Sequence, residues 1–291
     1  MLSGSIVALV TPMDEEGRID SGAFCRLLDF HLENGTSAVV IAGTTGESPV
    51  LDKDEFKALL GAAVAQIDGA IPVVAGTGSA STQKTVELTR IAGDIGADAA
   101  LVVTPYYNRP TQAGLKAHFE TVADASQIPV YLYNVPARTG VDLKADTTVA
   151  LSQHDGIAGI KEAVADMDRV RDLLQRCREG FSIISGDDGS CCQAMLYGAR
   201  GVISVAANVT PGPFSKMCKL AVSRDEEGAL KADAELRELY GLLGIEPNPV
   251  PVKWMLHRMG LIGPGIRLPL VPLDRAHHAA VNACLEQLRL I

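Results

Sequence analysis

The sequence lacks a basic run, a long apolar run and the features of a signal peptide. It holds 26 Lys and Arg against 35 Asp and Glu, with no basic cluster of the kind that nucleic-acid-binding surfaces carry. No stretch has the roughly 20 apolar residues that span a membrane. The N-terminus lacks a charged start and a small-residue cleavage site. We therefore expect a soluble, cytoplasmic protein that binds neither nucleic acid nor membrane.

Cysteine motifs are also missing, because no C-x-x-C pair and no metal-ligand spacing occurs among the six cysteines. Reduced thiols are the simple interpretation. The His277-His278 pair has no Cys or carboxylate pattern beside it, and we interpret it as a plain surface pair. The sequence therefore predicts no metal. The cysteines are Cys25, Cys177, Cys191, Cys192, Cys218 and Cys284.

What the chain does have is eight short apolar runs that alternate with longer amphipathic stretches. The runs are rich in Val and Ile, as is typical of strands buried on both faces of a parallel sheet. Eight strand–helix units predict an α/β fold of the closed (β/α)8 TIM-barrel type; an open doubly wound sheet is the weaker alternative. The predicted strands are Ser5–Thr11, Ala38–Ala42, Pro72–Ala75, Ala99–Thr104, Pro129–Tyr133, Ile157–Ile160, Phe181–Ser185 and Gly201–Val205.

The alternation ends after about Val222, and the rest of the chain has a helical pattern. We therefore divide the chain into a catalytic barrel, residues 1–224, and a C-terminal helical domain, residues 225–291. The second part is predicted to contain three helices and a rigid loop, at Asp225–Gly241, Val252–Met259, Arg275–Leu290 and Pro247–Pro251 respectively.

Barrel enzymes place their sites at the C-terminal ends of the strands, and Lys161 ends the sixth strand. A poorly solvated barrel mouth favours the neutral amine, which attacks a carbonyl to form a Schiff base. The alternative is a structural lysine paired with Glu162. Tyr133 ends the fifth strand and could transfer protons, although a core aromatic is the simpler interpretation. Arg138 follows it and could bind a carboxylate, although a surface arginine is the default.

Three glycine-containing segments also follow strands. Gly43-Thr44-Thr45-Gly46-Glu47 suits a bound carboxylate, and a plain tight turn is as good an explanation. Gly186-Asp187-Asp188 is interpreted as the N-cap of the next helix, with the Gly186 carbonyl facing a ligand. Gly76-Thr77-Gly78-Ser79 lacks the third glycine of a dinucleotide loop and is discounted.

Taken together, these blocks resemble the dihydrodipicolinate synthase and N-acetylneuraminate lyase family over essentially the whole chain. The most specific match is the run Tyr133-Asn134-Val135-Pro136-Ala137-Arg138-Thr139-Gly140, which is similar to the synthase branch. The other matching blocks are 43–47, Gly159-Ile160-Lys161-Glu162, 186–188, Pro247-Asn248-Pro249 and Pro251-Val252-Lys253.

The resemblance implies a lyase of diaminopimelate and lysine biosynthesis that condenses pyruvate with L-aspartate 4-semialdehyde to give 4-hydroxy-tetrahydrodipicolinate. It implies a Schiff base at Lys161 and a reaction that needs neither cofactor nor metal. It also implies a homo-oligomer, a tetramer built as a dimer of tight dimers. Thr44, Tyr133 and a neighbouring subunit's Tyr107 would form a proton relay. The implied substrate-binding residues are Thr45 for the pyruvate carboxylate, Arg138 for the semialdehyde carboxylate, and Gly186 and Ile203 for the pyruvate pocket.

Two alternatives remain at this point. One is a related pyruvate-dependent sugar-acid aldolase, which has less reason to keep a carboxylate-binding arginine at position 138. The other is a catalytically inactive barrel that binds pyruvate-like or amino-acid ligands. The presence of Lys161 together with Tyr133, Thr44 and Thr45 argues against the inactive barrel.

Overall fold

The computed structural model describes residues 1–291 and shows a closed barrel of eight parallel strands. Neighbours in sequence pair in order, and β1 pairs with β8 to close the barrel. The predicted closed barrel is confirmed, and the open sheet is wrong. The strands are β1 (Gly4–Ala8), β2 (Ala38–Ile41), β3 (Val73–Gly76), β4 (Ala99–Val103), β5 (Val130–Asn134), β6 (Ile157–Glu162), β7 (Ser182–Ser185) and β8 (Gly201–Ser204).

Helices pack around the barrel and continue beyond it. The helices are α1 (Ser21–Glu33), α2 (Lys53–Ile67), α3 (Thr82–Ile95), α4 (Gln112–Asp124), α5 (Pro136–Thr139), α6 (Ala145–Leu151), α7 (Met167–Arg176), α8 (Cys191–Tyr197), α9 (Pro211–Val222), α10 (Glu226–Ala234), α11 (Arg237–Leu243), α12 (Val250–Arg258) and α13 (Arg275–Gln287). None of them combines the length and apolar character needed to cross a bilayer.

The strict one-helix alternation that we predicted is interrupted once, between β5 and β6. The short helix α5 precedes α6 there, and Gly140 ends it with φ of +72°, a backbone conformation that suits glycine. The segment that carries Arg138 is therefore a structured turn and not an extended loop.

The C-terminal part differs from prediction at two helix boundaries. The predicted helix Asp225–Gly241 is two helices, α10 and α11, with Leu236 buried at the break between them. Helix α12 begins at Val250, inside the predicted rigid loop. Pro251 fits in its first turn because an N–H at that position has no partner within the helix.

One continuous cluster of buried apolar side chains runs from the barrel into the C-terminal helices. It contains Val7 of β1 together with Leu239 of α11 and Val281 of α13. The C-terminal helices therefore pack directly onto the barrel, and a division at residue 225 stays an interpretation of the sequence pattern.

Two glycines of the segment that we discounted as a dinucleotide loop are explained by close backbone packing. A Cβ at Gly76 would lie 2.2 Å from the carbonyl oxygen of Ala42, and one at Gly78 would lie 2.4 Å from the amide nitrogen of Val103. Any side chain there would push adjacent strand ends apart.

Two histidines are buried with only one ring nitrogen hydrogen-bonded. Nδ1 of His31 lies 2.9 Å from Oγ1 of Thr36, and Nδ1 of His118 lies 2.9 Å from Oγ1 of Thr82. Each Nε2 is buried without a partner. Burial lowers the pKa of His31 to about 3 and that of His118 to about 4, because the charged ring would lose its hydration.

We predict that the free energy of unfolding falls as the pH drops from about 6.5, the unfolded pKa of histidine, towards 4. In this window the histidines are protonated in the unfolded chain but stay neutral in the folded chain. Each of them lowers the free energy of unfolding by about 1.4 kcal/mol per pH unit. Urea unfolding of the wild type and His118→Asn at several pH values measures this. The variant should lose stability less steeply, and identical slopes would contradict the prediction.

Candidate active site

The centre of the site follows from the pairing of β5 with β6. Tyr133 lies beside Lys161 in register, and Asn134 beside Glu162. Because side chains alternate along a strand, the first pair points into the barrel and the second pair points outward. The Nζ of Lys161 lies 4.3 Å from the ring centroid of Tyr133. Lys161 is 5% exposed and Tyr133 is 7% exposed, so the amine sits in a largely water-free environment against a phenol ring.

Glu162 is not the partner of Lys161, and the structural-lysine alternative is wrong in this respect. The Glu162 carboxylate accepts hydrogen bonds from Nε of Arg169 at 2.8 Å and from Nδ2 of Asn134 at 3.0 Å. Burial raises the pKa of Glu162 to about 7, and the Arg169 charge opposes that rise. Lys161 forms no ion pair, so its nitrogen remains available for chemistry.

Gly186 follows β7 and packs against the stem of Lys161. A Cβ at this position would lie 2.9 Å from Cε of Lys161, so a larger residue would displace the amine. Ile203 of β8 is 1% exposed and belongs to the same cluster of inward-facing side chains as Tyr133. The structure therefore brings Lys161, Tyr133, Gly186 and Ile203 together inside the barrel.

We predicted from the sequence that the aspartates after Gly186 cap the next helix. This prediction is wrong, because Ser190 is the N-cap residue of α8. Oδ2 of Asp187 accepts from the Ser190 amide at 2.9 Å. Oδ2 of Asp188 accepts from the amides of Val205 and Ala206, at 3.1 and 2.9 Å. Asp188 thus ties the end of β7 to the chain leaving β8, a contact that no local spacing could reveal.

The segment after β2 is both a tight turn and a possible ligand site. The amide of Glu47 donates to the carbonyl of Thr44 at 3.1 Å, and Glu47 has φ of +59°. Thr45 is 2% exposed. Its Oγ1 accepts a hydrogen bond from Nδ2 of Asn248 at 3.0 Å, which fixes the hydroxyl from the C-terminal part of the chain.

Arg138 lies in α5 and is exposed. Its Nη2 lies 3.5 Å from the carbonyl oxygen of Asn248, so Asn248 contacts both Thr45 and Arg138. Thr44 and Arg138 also line one cavity of about 420 Å³, whose lining does not include Lys161. Tyr107 stands apart: it is 93% exposed and has φ of +72°. Within one chain the three-hydroxyl relay is therefore not assembled.

Lys253 had no role predicted from the sequence, although it lies in a matching block. Its Nζ lies 2.5 Å from Oε1 of Glu47, and both side chains are almost fully buried. The backbone amide of Arg267 donates to the other Glu47 oxygen at 3.1 Å. Burial lowers the pKa of Lys253, and the Glu47 charge opposes this. A lysine inside the apolar run Val250–Leu256 was the signal available in the sequence.

The model of the dihydrodipicolinate synthetase family matches residues 1–288. The chain belongs to this family. A relative named 4-hydroxy-tetrahydrodipicolinate synthase, from Cellvibrio japonicus, is 49% identical over 286 residues, covering 98% of this chain and 99% of the relative.

Solved structures of family members superimpose closely on this chain. The chloride-inhibited dihydrodipicolinate synthase of Acinetobacter baumannii, complexed with pyruvate, gives a TM-score of 0.99 at 44% identity and full coverage of both chains. The dihydrodipicolinate synthase of Aquifex aeolicus gives 0.97 at 41% identity and covers 99% of each chain. Both the family and the barrel predicted from the sequence are confirmed.

We predict that Lys253→Met destabilises the protein by about 3–5 kcal/mol, because it leaves the Glu47 carboxylate buried without its cation. The double variant Glu47→Gln, Lys253→Met should regain part of this loss. Urea unfolding provides the measurement.

Lys116→Met is the matched control, since Lys116 pairs with Glu120 on the surface and exposed pairs contribute at most about 1 kcal/mol. Equal losses of unfolding free energy in the control and in Lys253→Met would show that the buried pair contributes no more to stability than the exposed pair.

Proposed function

We propose that this chain is a 4-hydroxy-tetrahydrodipicolinate synthase that condenses pyruvate with L-aspartate 4-semialdehyde. The observation that carries the proposal is a buried lysine at the end of β6 with no acidic partner, its Nζ against the ring of Tyr133. The name of the relative from Cellvibrio japonicus and the pyruvate complex of the Acinetobacter baumannii protein support it.

The Lys161 amine attacks the keto carbon of pyruvate, and loss of water leaves an iminium ion. Removal of a methyl proton gives the enamine, whose carbon forms a bond to the aldehyde carbon of the second substrate. The amino group of that substrate then attacks the iminium carbon and closes the ring, which releases Lys161. Each proton transfer needs a hydroxyl close to the amine, and the ring of Tyr133 lies against Lys161.

The two residues assigned to the substrate carboxylates both contact Asn248. Thr45 holds the pyruvate carboxylate, and Arg138 holds the carboxylate of the semialdehyde. Thr44 lines the same cavity as Arg138 and serves with Tyr133 and a neighbouring subunit's Tyr107 in the proton relay. A sugar-acid aldolase is the rival enzyme, and Arg138 disfavours it. The inactive barrel is set aside because the relatives are named as synthases.

The first test of this proposal is covalent trapping. Borohydride with pyruvate should inactivate the enzyme irreversibly and leave one reduced pyruvate per chain on Lys161, identified by peptide mass spectrometry. Lys253, the other strongly buried lysine, should stay unlabelled because it is paired with Glu47. Label on any other lysine, or none at all, would rule out the Schiff-base mechanism at Lys161.

The second test is Arg138→Ala. Loss of a charge-assisted hydrogen bond costs roughly 1.5–3 kcal/mol, so kcat/KM for aspartate semialdehyde should fall about ten- to a hundredfold. The KM for pyruvate should stay constant. A coupled assay with N-acetylmannosamine as the competing acceptor is carried out in parallel with the aspartate semialdehyde measurement. An equal effect on both substrates, or preference for N-acetylmannosamine, would contradict the assignment.

The third test concerns assembly. We propose that Tyr107 enters the site of a neighbouring subunit in a homotetramer built from tight dimers, because its side chain is almost fully exposed in the single chain. Lys161→Ala and Tyr107→Phe should each be impaired alone. Mixed after dissociation and reassociation, they should regain activity, since one site in each hybrid pair is then intact. No recovery in verified hybrids would place Tyr107 in its own chain's site or outside the reaction.

A further inference from the structure

The position of Arg138 is set by the backbone around it, because its side chain has only one long contact, 3.5 Å to Asn248. We call residues 135–143 the Arg138 loop. It leaves the end of β5 and returns to the barrel wall at Leu143, which is fully buried. Whatever joins the two ends of this loop therefore decides where the guanidinium of Arg138 lies.

The buried side chain of Asn134 joins those ends, and the buried hydroxyl of Thr139, which donates to the carbonyl of Val141 at 2.9 Å, braces the turn between them. Its Oδ1 accepts a hydrogen bond from the amide of Leu143 at 2.9 Å, and its Nδ2 donates to Oδ1 of Asp142 at 2.8 Å. Asn134 is also the residue next to Tyr133 on β5, so the base of the loop is attached directly to the catalytic strand.

Arg169 of α7 completes this closure from outside the barrel. Its Nη1 donates to Oδ2 of Asp142 at 3.0 Å, and its Nη2 donates to the carbonyl of Leu143. Its Nε donates to Glu162 at 2.8 Å. One guanidinium thus connects the returning end of the loop to β6, one residue beyond Lys161. The Arg169 side chain is 13% exposed and that of Glu162 is fully buried.

Two other residues outside the loop donate hydrogen bonds to its backbone. Nε of Arg109 donates to the carbonyl of Gly140 at 2.9 Å, and Nε2 of Gln112 donates to the carbonyl of Asp142 at 2.8 Å. Neither reaches β5 or β6. The connection from the loop to the two catalytic strands therefore runs through Asn134, Arg169 and Glu162.

We propose that Arg169, acting with Asn134 and Glu162, is a positioning residue that holds Arg138 at the distance from Lys161 that the second substrate requires. The network lies on the outer face of the register pair whose inner face carries Lys161 and Tyr133, so it ties the carboxylate-binding arginine to the nucleophile. This inference rests on the proposed role of Arg138 in binding the semialdehyde.

The experiment compares Arg169→Met and the milder Asp142→Asn with Arg176→Met. Arg176 lies on the same helix and pairs with surface carboxylates, which makes it a matched control. Misplacing a binding group by about 1 Å can cost up to a hundredfold, so kcat/KM for aspartate semialdehyde should fall about ten- to a hundredfold in the first two variants. Pyruvate KM and borohydride trapping at Lys161 should not change.

A double-mutant cycle with Arg138→Ala separates positioning from general support of the fold. If Arg169 acts through Arg138, adding Arg169→Met to Arg138→Ala should cause no further loss in semialdehyde use. Additive losses, or a parallel loss of pyruvate trapping in Asp142→Asn, overturn the inference while the proposed function stands. A non-selective Arg138→Ala overturns both.

Discussion

The register between β5 and β6 is the constraint on which the rest of the site depends. It places Tyr133 beside Lys161 on the inner face and Asn134 beside Glu162 on the outer face. A slip of one residue would exchange the faces, since side chains alternate along a strand. Lys161 would then leave the barrel, and the Glu162 carboxylate would enter it. The hydrogen bonds of Glu162 to Arg169 and Asn134 exist only in the observed register.

The same strand pair also explains why the lysine remains unpaired. Its neighbouring carboxylate is engaged by groups on the opposite side of the sheet, so no acidic group competes for the amine. The small space left by Gly186 accommodates the lysine stem. The unpaired state of the Lys161 amine therefore depends as much on which groups are kept away from it as on those that lie near it.

The C-terminal helices contribute to the site directly. Lys253 of α12 pairs with Glu47, which closes the turn that carries Thr44 and Thr45, and Asn248, just before α12, contacts both Thr45 and the arginine of α5. A buried ion pair is weak evidence for added stability, since desolvation offsets most of its attraction. Its consequence here is geometric: the turn after β2 is held between the barrel and the C-terminal segment.

The sequence by itself determined the eight strands to within a few residues, the closed barrel and the position of Lys161 at a strand end. These follow from apolar runs and from the periodicity of strands and helices, which are local properties. The tertiary structure decided that Glu162 turns away from Lys161 and that Asp188 bonds to the chain after β8. It also decided that Lys253 meets Glu47, more than two hundred residues earlier in the chain. Such contacts join residues far apart in sequence, and no local periodicity encodes which distant backbone amide or carboxylate a buried side chain will meet.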